Sequence, residues 1–276
     1  MFLTTSIAQK NKTNIRLLHI TDTHLFANSE DELLGVSTNH CFHLVMEHIE
    51  QHQDNYDLIV ATGDFVQDGS KEAYRIFASR VAQLSIPCVW LPGNHDMKRH
   101  ITAVFSQYHL LSEKVVLLGD SWLVILLDSQ VDGQAYGYLS QAQLNLLNDT
   151  LAQHPNRYIL VLLHHHPVMS GCEWLDQHCL KNREVLEDIV MNYVQIRGVG
   201  FGHIHQVIEQ AWEHCLMFST PSTCVQFKPN CRDFTLEENS PGWRDIILSN
   251  NGTMTTAVKR LDSFSICPDM TLTGYK

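Results

Sequence analysis

The sequence predicts an α/β fold in which a mixed sheet, or two sheets, lies sandwiched between helices. Three observations carry that expectation. Apolar runs of strand length recur and stop abruptly at polar clusters, helical apolar stripes lie between them, and the chain closes on a hairpin.

The runs come in order along the chain: IRLLHI before Thr21, YDLIVA before Thr62, PCVWLP before Gly93, RYILVLL before His164 and VQIRGVGF before Gly202. Continuous rather than alternating hydrophobicity predicts strands covered on both faces. Between the first two, NHCFHLVMEHIEQHQ carries a stripe of Phe42, Val45, Met46 and Ile49. Between the second and third, Ser70 is placed to cap a helix through KEAYRIFASRVAQL, with Tyr74, Phe77, Ala78 and Val81 on its apolar side. The chain therefore begins β-α-β-α-β. Its middle gives two close strands, KVVLLGD and SWLVILLDS, then SQAQLNLLNDTLAQ, where Ser140 and Gln143 have capping-box spacing. At the end, DIILSNNGTMTTAVKRL sets Asn251-Gly252 between two extended runs, a hairpin signal of the type I′ kind. No repeat or linker interrupts the 276 residues, so one catalytic domain over 1–276 is expected, with a core of about 15–261 and the C-terminal hairpin near 243–261.

Composition narrows the function. A formal net charge of −11 argues against gripping nucleic acid by neutralising many phosphates, so any anion must be met by local positive charge, and metal ions are the obvious source. The start of the chain lacks the basic and apolar regions of a signal peptide, and no apolar stretch is long enough to span a membrane; a cytoplasmic protein without membrane or nucleic-acid partners is expected. Nothing in the sequence signals an oligomer, and a monomer is the expectation. The eight cysteines, Cys41, Cys88, Cys172, Cys179, Cys215, Cys224, Cys231 and Cys267, lack CxxC pairs and are read as reduced structural thiols.

Each of the five runs ends in a potential metal ligand: Asp22-Thr-His24, Gly63-Asp64, Gly93-Asn94-His95-Asp96, His164 to His166, and Gly202-His203-Ile-His205. Any one of these is more often a local hydrogen-bonding residue than a ligand. Five at successive strand ends point to one crevice at the carboxyl edge of a sheet. In extended backbone, residues i and i+2 face the same way, so Asp22 pairs with His24 and His203 with His205. Carboxylates, imidazoles and one amide suit Fe, Mn, Zn or Co, and the absence of thiolates argues against a structural zinc site. One ion cannot use all these groups. Two ions about 3.5–4 Å apart and sharing Asp64 could, with a hydroxide generated between them attacking a phosphoryl group.

The set ITDTHL, ATGD, LPGNHD, LLHHHP and GHIH resembles the calcineurin-like metallophosphoesterases, which implies a four-layer α/β-β/α sandwich of two mixed β-sheets flanked by helices. Carried over by position, Asp22, His24 and His205 resemble the ligands of one ion, Asn94, His164 and His203 those of the other, and Asp64 the bridge. His95 resembles the non-ligand histidine that touches the phosphate and assists the leaving oxygen. The phosphate is then met, directly or at the metals, by His24, Asp64, Asn94, His95 and His205. Asp96 is expected to orient His95 or a ligand. Of the three adjacent histidines, His164 matches the family's ligand, His165 is expected on the opposite face by alternation, and His166 is the fallback.

Further stretches, ITDTHLFA, LLGV, DLIVATGD, CEWLDQH, GHIHQ, TPSTCVQFKPNC, Phe234 and PGWR, resemble the class III 3′,5′-cyclic-AMP phosphodiesterases. That resemblance implies hydrolysis of cAMP to 5′-AMP, lowering cellular cAMP, with two divalent ions per chain, Fe(2+) and/or Mn(2+). The base rests on resemblance alone. The alternative within enzymes is a broader phosphodiesterase or phosphomonoesterase, because such a centre treats accessible phosphates alike. A scaffold that kept the fold but lost catalysis would lack a ligand or the GNHD histidine, and none is missing. Trp174, Phe227 and Trp243 could stack on adenine, but core or lid packing is the expectation. Cys224 and Cys231 are expected to pack or to lie near the substrate mouth, and His43, His48, His100 and His178 to lie on the surface.

Overall fold

The computed structural model describes residues 4–11, 13–262 and 268–274, and its first element is one that no apolar run marks: β1 (Thr4–Ile7), a half-exposed strand at a sheet edge. The expected start comes next as β2 (Asn14–Ile20), α1 (Thr38–Glu50), β3 (Leu58–Ala61), α2 (Lys71–Gln83) and β4 (Cys88–Trp90). The Ser37 and Ser70 hydroxyls accept the His40 and Ala73 amides at the two helix starts. Both expected stripes are buried, Phe42, Val45, Met46 and Ile49 on α1 and Tyr74, Phe77, Ala78 and Val81 on α2.

After α3 (Lys98–Phe105) come β5 (Val115–Leu118), β6 (Trp122–Leu126), α4 (Gln141–Gln153), β7 (Tyr158–Leu162), α5 (Glu173–Asp176), α6 (Arg183–Asn192) and β8 (Ile196–Phe201). The capping box expected at α4 does not form. Ser140 makes no side-chain cap bond, and Gln143 Oε1 instead accepts the Asp128 amide at 2.9 Å, tying the helix start to the loop after β6. The remainder is β9 (Glu209–Trp212), β10 (Cys215–Ser219), β11 (Gln226–Phe227), β12 (Leu236–Glu237), β13 (Gly242–Ser249) and β14 (Met254–Arg260). In the β13–β14 turn Gly252 takes φ +86° and donates to Ser249 O at 2.9 Å, but Asn251 has no positive φ. A type I′ turn needs both, so the hairpin closes by a different turn than its Asn-Gly pair predicts.

Two sheets face each other, β1-β5-β6-β7-β8-β10-β9 and β14-β13-β2-β3-β4, with β11-β12 a separate pair. Each large sheet is mixed: β2-β3-β4 and β6-β7-β8-β10 run parallel, while β13 and β9 are antiparallel to their neighbours. Strand alternation distributes the apolar runs. Leu160 and Leu162 of β7 join Leu17 of β2 and Val60 of β3 between the sheets, whereas Ile159 and Val161 face α4 and α6, and Leu18 and Ile59 face α1 and α2. Helix, sheet, sheet, helix are thus the four layers. Burying a Leu, Ile or Val side chain contributes ~1.5–3 kcal/mol, which is why both faces of these strands are apolar. Among the described residues no helix is long and apolar enough to cross a membrane. The seven described cysteines are free thiols, and Cys267 lies outside the described residues.

Candidate metal centre

The loops leaving β2, β3, β4, β7 and β8 converge at one edge. Asp22, His24 and His205 bring three ligand atoms within 4.8 Å of one another, as do Asp22, Asp64 and His164, and also His24, Asp64 and His95. His205 Nε2 lies 3.4 Å from Asp22 Oδ1. His164 Nε2 lies 3.2 Å from Asp64 Oδ2 and 3.2 Å from Asn94 Oδ1. His203 joins His164 and His165 in a fourth group, and its amide donates to Asp22 Oδ2 at 3.0 Å.

The convergence is not produced by extended backbone. Asp22, His24, Asp64, His203 and His205 all adopt positive φ, between 46° and 70°. These are sparsely populated conformations for residues with a side chain, held because the surrounding bonds over-determine them. Asp22 N donates to Gly63 O at 3.0 Å and His24 N to Asp64 O at 2.9 Å, fastening the first loop to the second. Gly63 (φ +96°) and Gly93 lie back to back: a Cβ on Gly63 would sit 2.3 Å from Gly93 N, and one on Gly93 2.2 Å from Asp64 Oδ1.

The buried imidazoles are oriented by oxygens on their far side. His164 Nδ1 donates to Thr62 O at 2.7 Å, His205 Nδ1 to Val225 O at 2.9 Å, and His24 Nδ1 faces Gln67 Oε1 at 2.8 Å. A carbonyl oxygen only accepts, so Nδ1 carries the hydrogen and Nε2 of the neutral ring points a lone pair inward. His24 Nε2 and His205 Nε2 then face each other at 3.1 Å beside the Asp22 carboxylate. Opposed lone pairs at that separation repel unless a cation lies among them. The buried Nε2 of His203 has no hydrogen-bond partner, a second feature that suits a metal ligand. The donors are oxygen and nitrogen without thiolate, a set that suits divalent metals.

Electrostatics set His24 and His164 apart. Burial holds His24 down to about 3, so this ring stays neutral and able to coordinate. Burial opposes charge on Asp64 as well, but the His164 and His95 imidazoles outweigh it and hold the carboxyl well below its usual range. Burial alone would lower His164, yet the Asp64 carboxylate raises it to about 9, so without a cation beside Asp64 this ring carries a second proton on Nε2, which a bound metal would displace.

Asp96 acts through the backbone: its Oδ1 accepts from Phe65 N and Tyr74 Oη and its Oδ2 from Gly93 N, at 2.9–3.1 Å, so it locks the turn bearing Asn94 and His95 onto the Asp64 loop. His95 N in turn donates to Asp64 Oδ1 at 2.8 Å. The three adjacent histidines part ways. His164 enters the centre, and His166 Nε2 turns to Asp176 Oδ1 at 3.4 Å. His165, expected on the opposite face, has its Nδ1 on Ser129 Oγ at 2.8 Å and its ring 4.8 Å from that of His203. The chain leaves β-structure after Leu162, so period-two alternation no longer applies.

A cavity of about 260 Å³ opens onto Asp64, Asn94, His95 and His203 and is walled by Trp174, Phe227, Phe234 and His178. His178, expected on the surface, lines this cavity because α5 tips the CEWLDQH segment over the centre. Trp243 lies elsewhere, 1% exposed, in the core under α1 beside half-buried His48. His43 is exposed, and His100 is half-buried with Nδ1 on Gly69 O. Cys224 is buried beneath the Asp22 backbone, with burial pushing its thiol up to about 12, while the Cys231 amide donates to Cys172 Sγ. The orienting oxygens of Gln67, Thr62 and Val225 carry no sequence signal, since two are backbone carbonyls.

A cluster of carboxylates and imidazoles that could hold metal, set at the strand ends of a two-sheet sandwich, fits a metallophosphoesterase. Residues 15–207 match the family model described as calcineurin-like phosphoesterase, and the chain belongs to that family. Its relatives are more particular. It is 46% identical over 264 residues to the 3′,5′-cyclic adenosine monophosphate phosphodiesterase CpdA of Escherichia coli, covering 96% of each chain. It is 42% identical to the phosphodiesterase of the same name from Haemophilus influenzae, covering 98% of this chain and 99% of the relative. The fold is shared with a dimetal phosphatase from Danio rerio at 11% identity and a TM-score of 0.60, over 88% of this chain and 98% of that one.

Proposed function

We propose that the chain is a metal-dependent 3′,5′-cyclic-AMP phosphodiesterase that hydrolyses cAMP to 5′-AMP and so lowers cellular cAMP. One observation carries the reading: Asp22, His24, Asp64, Asn94, His164, His203 and His205 meet beside His95 in a chain 46% identical to a cAMP phosphodiesterase along nearly its whole length. In this reading Asp22, His24 and His205 would hold one ion and Asn94, His164 and His203 the other, with Asp64 shared between the two sets. The ions are Fe(2+) and/or Mn(2+), in keeping with the mixed carboxylate, imidazole and amide donors.

When bound, two divalent ions supply the positive charge that draws an anion into an acidic protein and the acidity that makes water nucleophilic at neutral pH. The chain does the rest. His24, Asp64, Asn94, His95 and His205 surround the place of the phosphate, and the Asp64 carboxylate is fixed by the His95 amide on one oxygen and by His164 on the other. Water adds to phosphorus and releases one proton, the P–O3′ bond breaks, and His95 delivers a proton to the departing 3′ oxygen and regains one from solvent, so the proton the water released balances the turnover.

Purified, metal-loaded protein is expected to convert cAMP to 5′-AMP. Hydrolysis of p-nitrophenyl phosphate esters without cAMP turnover would move the assignment to the broader esterase. Asp64→Ala is expected to abolish turnover and stoichiometric two-metal binding together, and a variant that kept two ions and full rate would end the bridging role.

A further inference from the structure

Two cavities meet at Asn94 and His95, and they differ in chemistry. One extends past the charged and amide side chains of Lys98, Arg99, Gln130 and Asp132, with Lys98 paired to Asp128 at 2.7 Å. The other is the aromatic one. There Trp174, Phe227 and Phe234 stand at mutual ring-centroid distances of 4.9–5.4 Å and interplanar angles of 57–82°, so the three rings touch one another and line the cavity as one aromatic wall. Phe227 lies 4.5 Å from His205 at 16°, so this wall adjoins the metal centre. Trp174 and Phe234 are half-buried and keep ring surface at the cavity.

We propose that Trp174, Phe227 and Phe234 are the nucleobase subsite. With the cyclic phosphate beside Asn94 and His95, the purine enters the cavity and lies against the ring surface of Trp174 and Phe234. Every base has a π-face, so stacking on this wall gives affinity. This inference rests on the cAMP reading of the same centre.

The test compares cAMP with its base-free analogue, the methyl riboside 3′,5′-cyclic phosphate, on metal-loaded enzyme with metal content measured for every variant. Trp174→Ala and Phe234→Ala are expected to lower the ratio of kcat/KM for cAMP to that for the analogue by about 10–100-fold, mainly through KM, with two ions retained. Trp174→Phe and Phe234→Leu keep apolar bulk in case truncation unfolds the wall; Phe234→Leu, which loses the π-face, is expected to lower the ratio about tenfold, and Trp174→Phe, which keeps one, to lower it less. An unchanged ratio in all four variants, or equal losses on both substrates, overturns the subsite. Wild-type enzyme that cleaves the analogue but not cAMP overturns the cAMP reading itself, and so separates the two failures.

Discussion

At the scale of single residues, the centre depends on which nitrogen of each imidazole carries the proton. Thr62 O, Val225 O and Gln67 Oε1 settle this for His164, His205 and His24. His95 is held differently: its amide, not its ring, bonds Asp64, and its ring meets His24 edge-on at 5.0 Å. His95→Ala is therefore expected to keep both metals while kcat falls by ~10²–10⁴, measured by metal analysis and cAMP turnover on one preparation. Loss of metal would instead make His95 a ligand, as its grouping with His24 and Asp64 permits. The candidate ligands are legible in the sequence because Asp, Asn and His at strand ends carry their chemistry in the side chain. Their orienting partners are not, since a backbone carbonyl looks the same beneath any residue.

At the scale of elements, the strands β2, β3, β7 and β8 can be read from apolar runs because both faces are buried. The loop conformation beyond each strand end cannot. Five of the candidate ligands sit in left-handed backbone, made possible by neighbouring glycines and by hydrogen bonds between loops. Gly202, between β8 and His203, has no room for a side chain: a Cβ would lie 2.1 Å from Thr21 Oγ1 and 2.5 Å from Asp22 Oδ2. Gly202→Ala is expected to cost ~1–3 kcal/mol of stability by overpacking and to weaken metal binding by pushing Asp22. Denaturant midpoints and metal titration check this; wild-type values for both would show that the loop yields without disturbing Asp22. The capping box at α4 fails because Gln143 has its partner, the Asp128 amide, outside its own segment, whereas in the β13–β14 turn the Asn251 carboxamide is engaged locally, accepting the Thr253 amide at 3.0 Å.

At the scale of the whole molecule, the two sheets are joined behind the centre by a buried histidine. His19 of β2 places Nε2 on Thr62 Oγ1 at 2.8 Å and Nδ1 on Thr220 Oγ1 at 2.7 Å, linking the loops after β3 and β10. Burial, aided by the Arg244 guanidinium, lowers its pKa from 6.5 to about 3. Above 6.5 both folded and unfolded chains hold it neutral; below, the unfolded chain takes a proton that the folded one refuses. Its contribution is thus full above pH 6.5 and is lost as pH falls towards about 3. Metal-free protein is expected to lose stability across that window, with His19 adding up to ~1.4 kcal/mol per pH unit. His19→Gln, which keeps both hydroxyl partners, is expected to flatten the dependence in urea unfolding at stepped pH; an identical slope would rule His19 out. The sequence by itself determined the order of elements in the first half, the helix faces and the candidate ligand types, because these follow from local periodicity and side-chain chemistry. Only the tertiary structure decided that Trp174 and His178 face the centre while Trp243 does not, that the candidate ligands converge through strained loops, and that His165 lies on Ser129 and beside His203 rather than turned away, because each depends on contacts between segments distant in the chain.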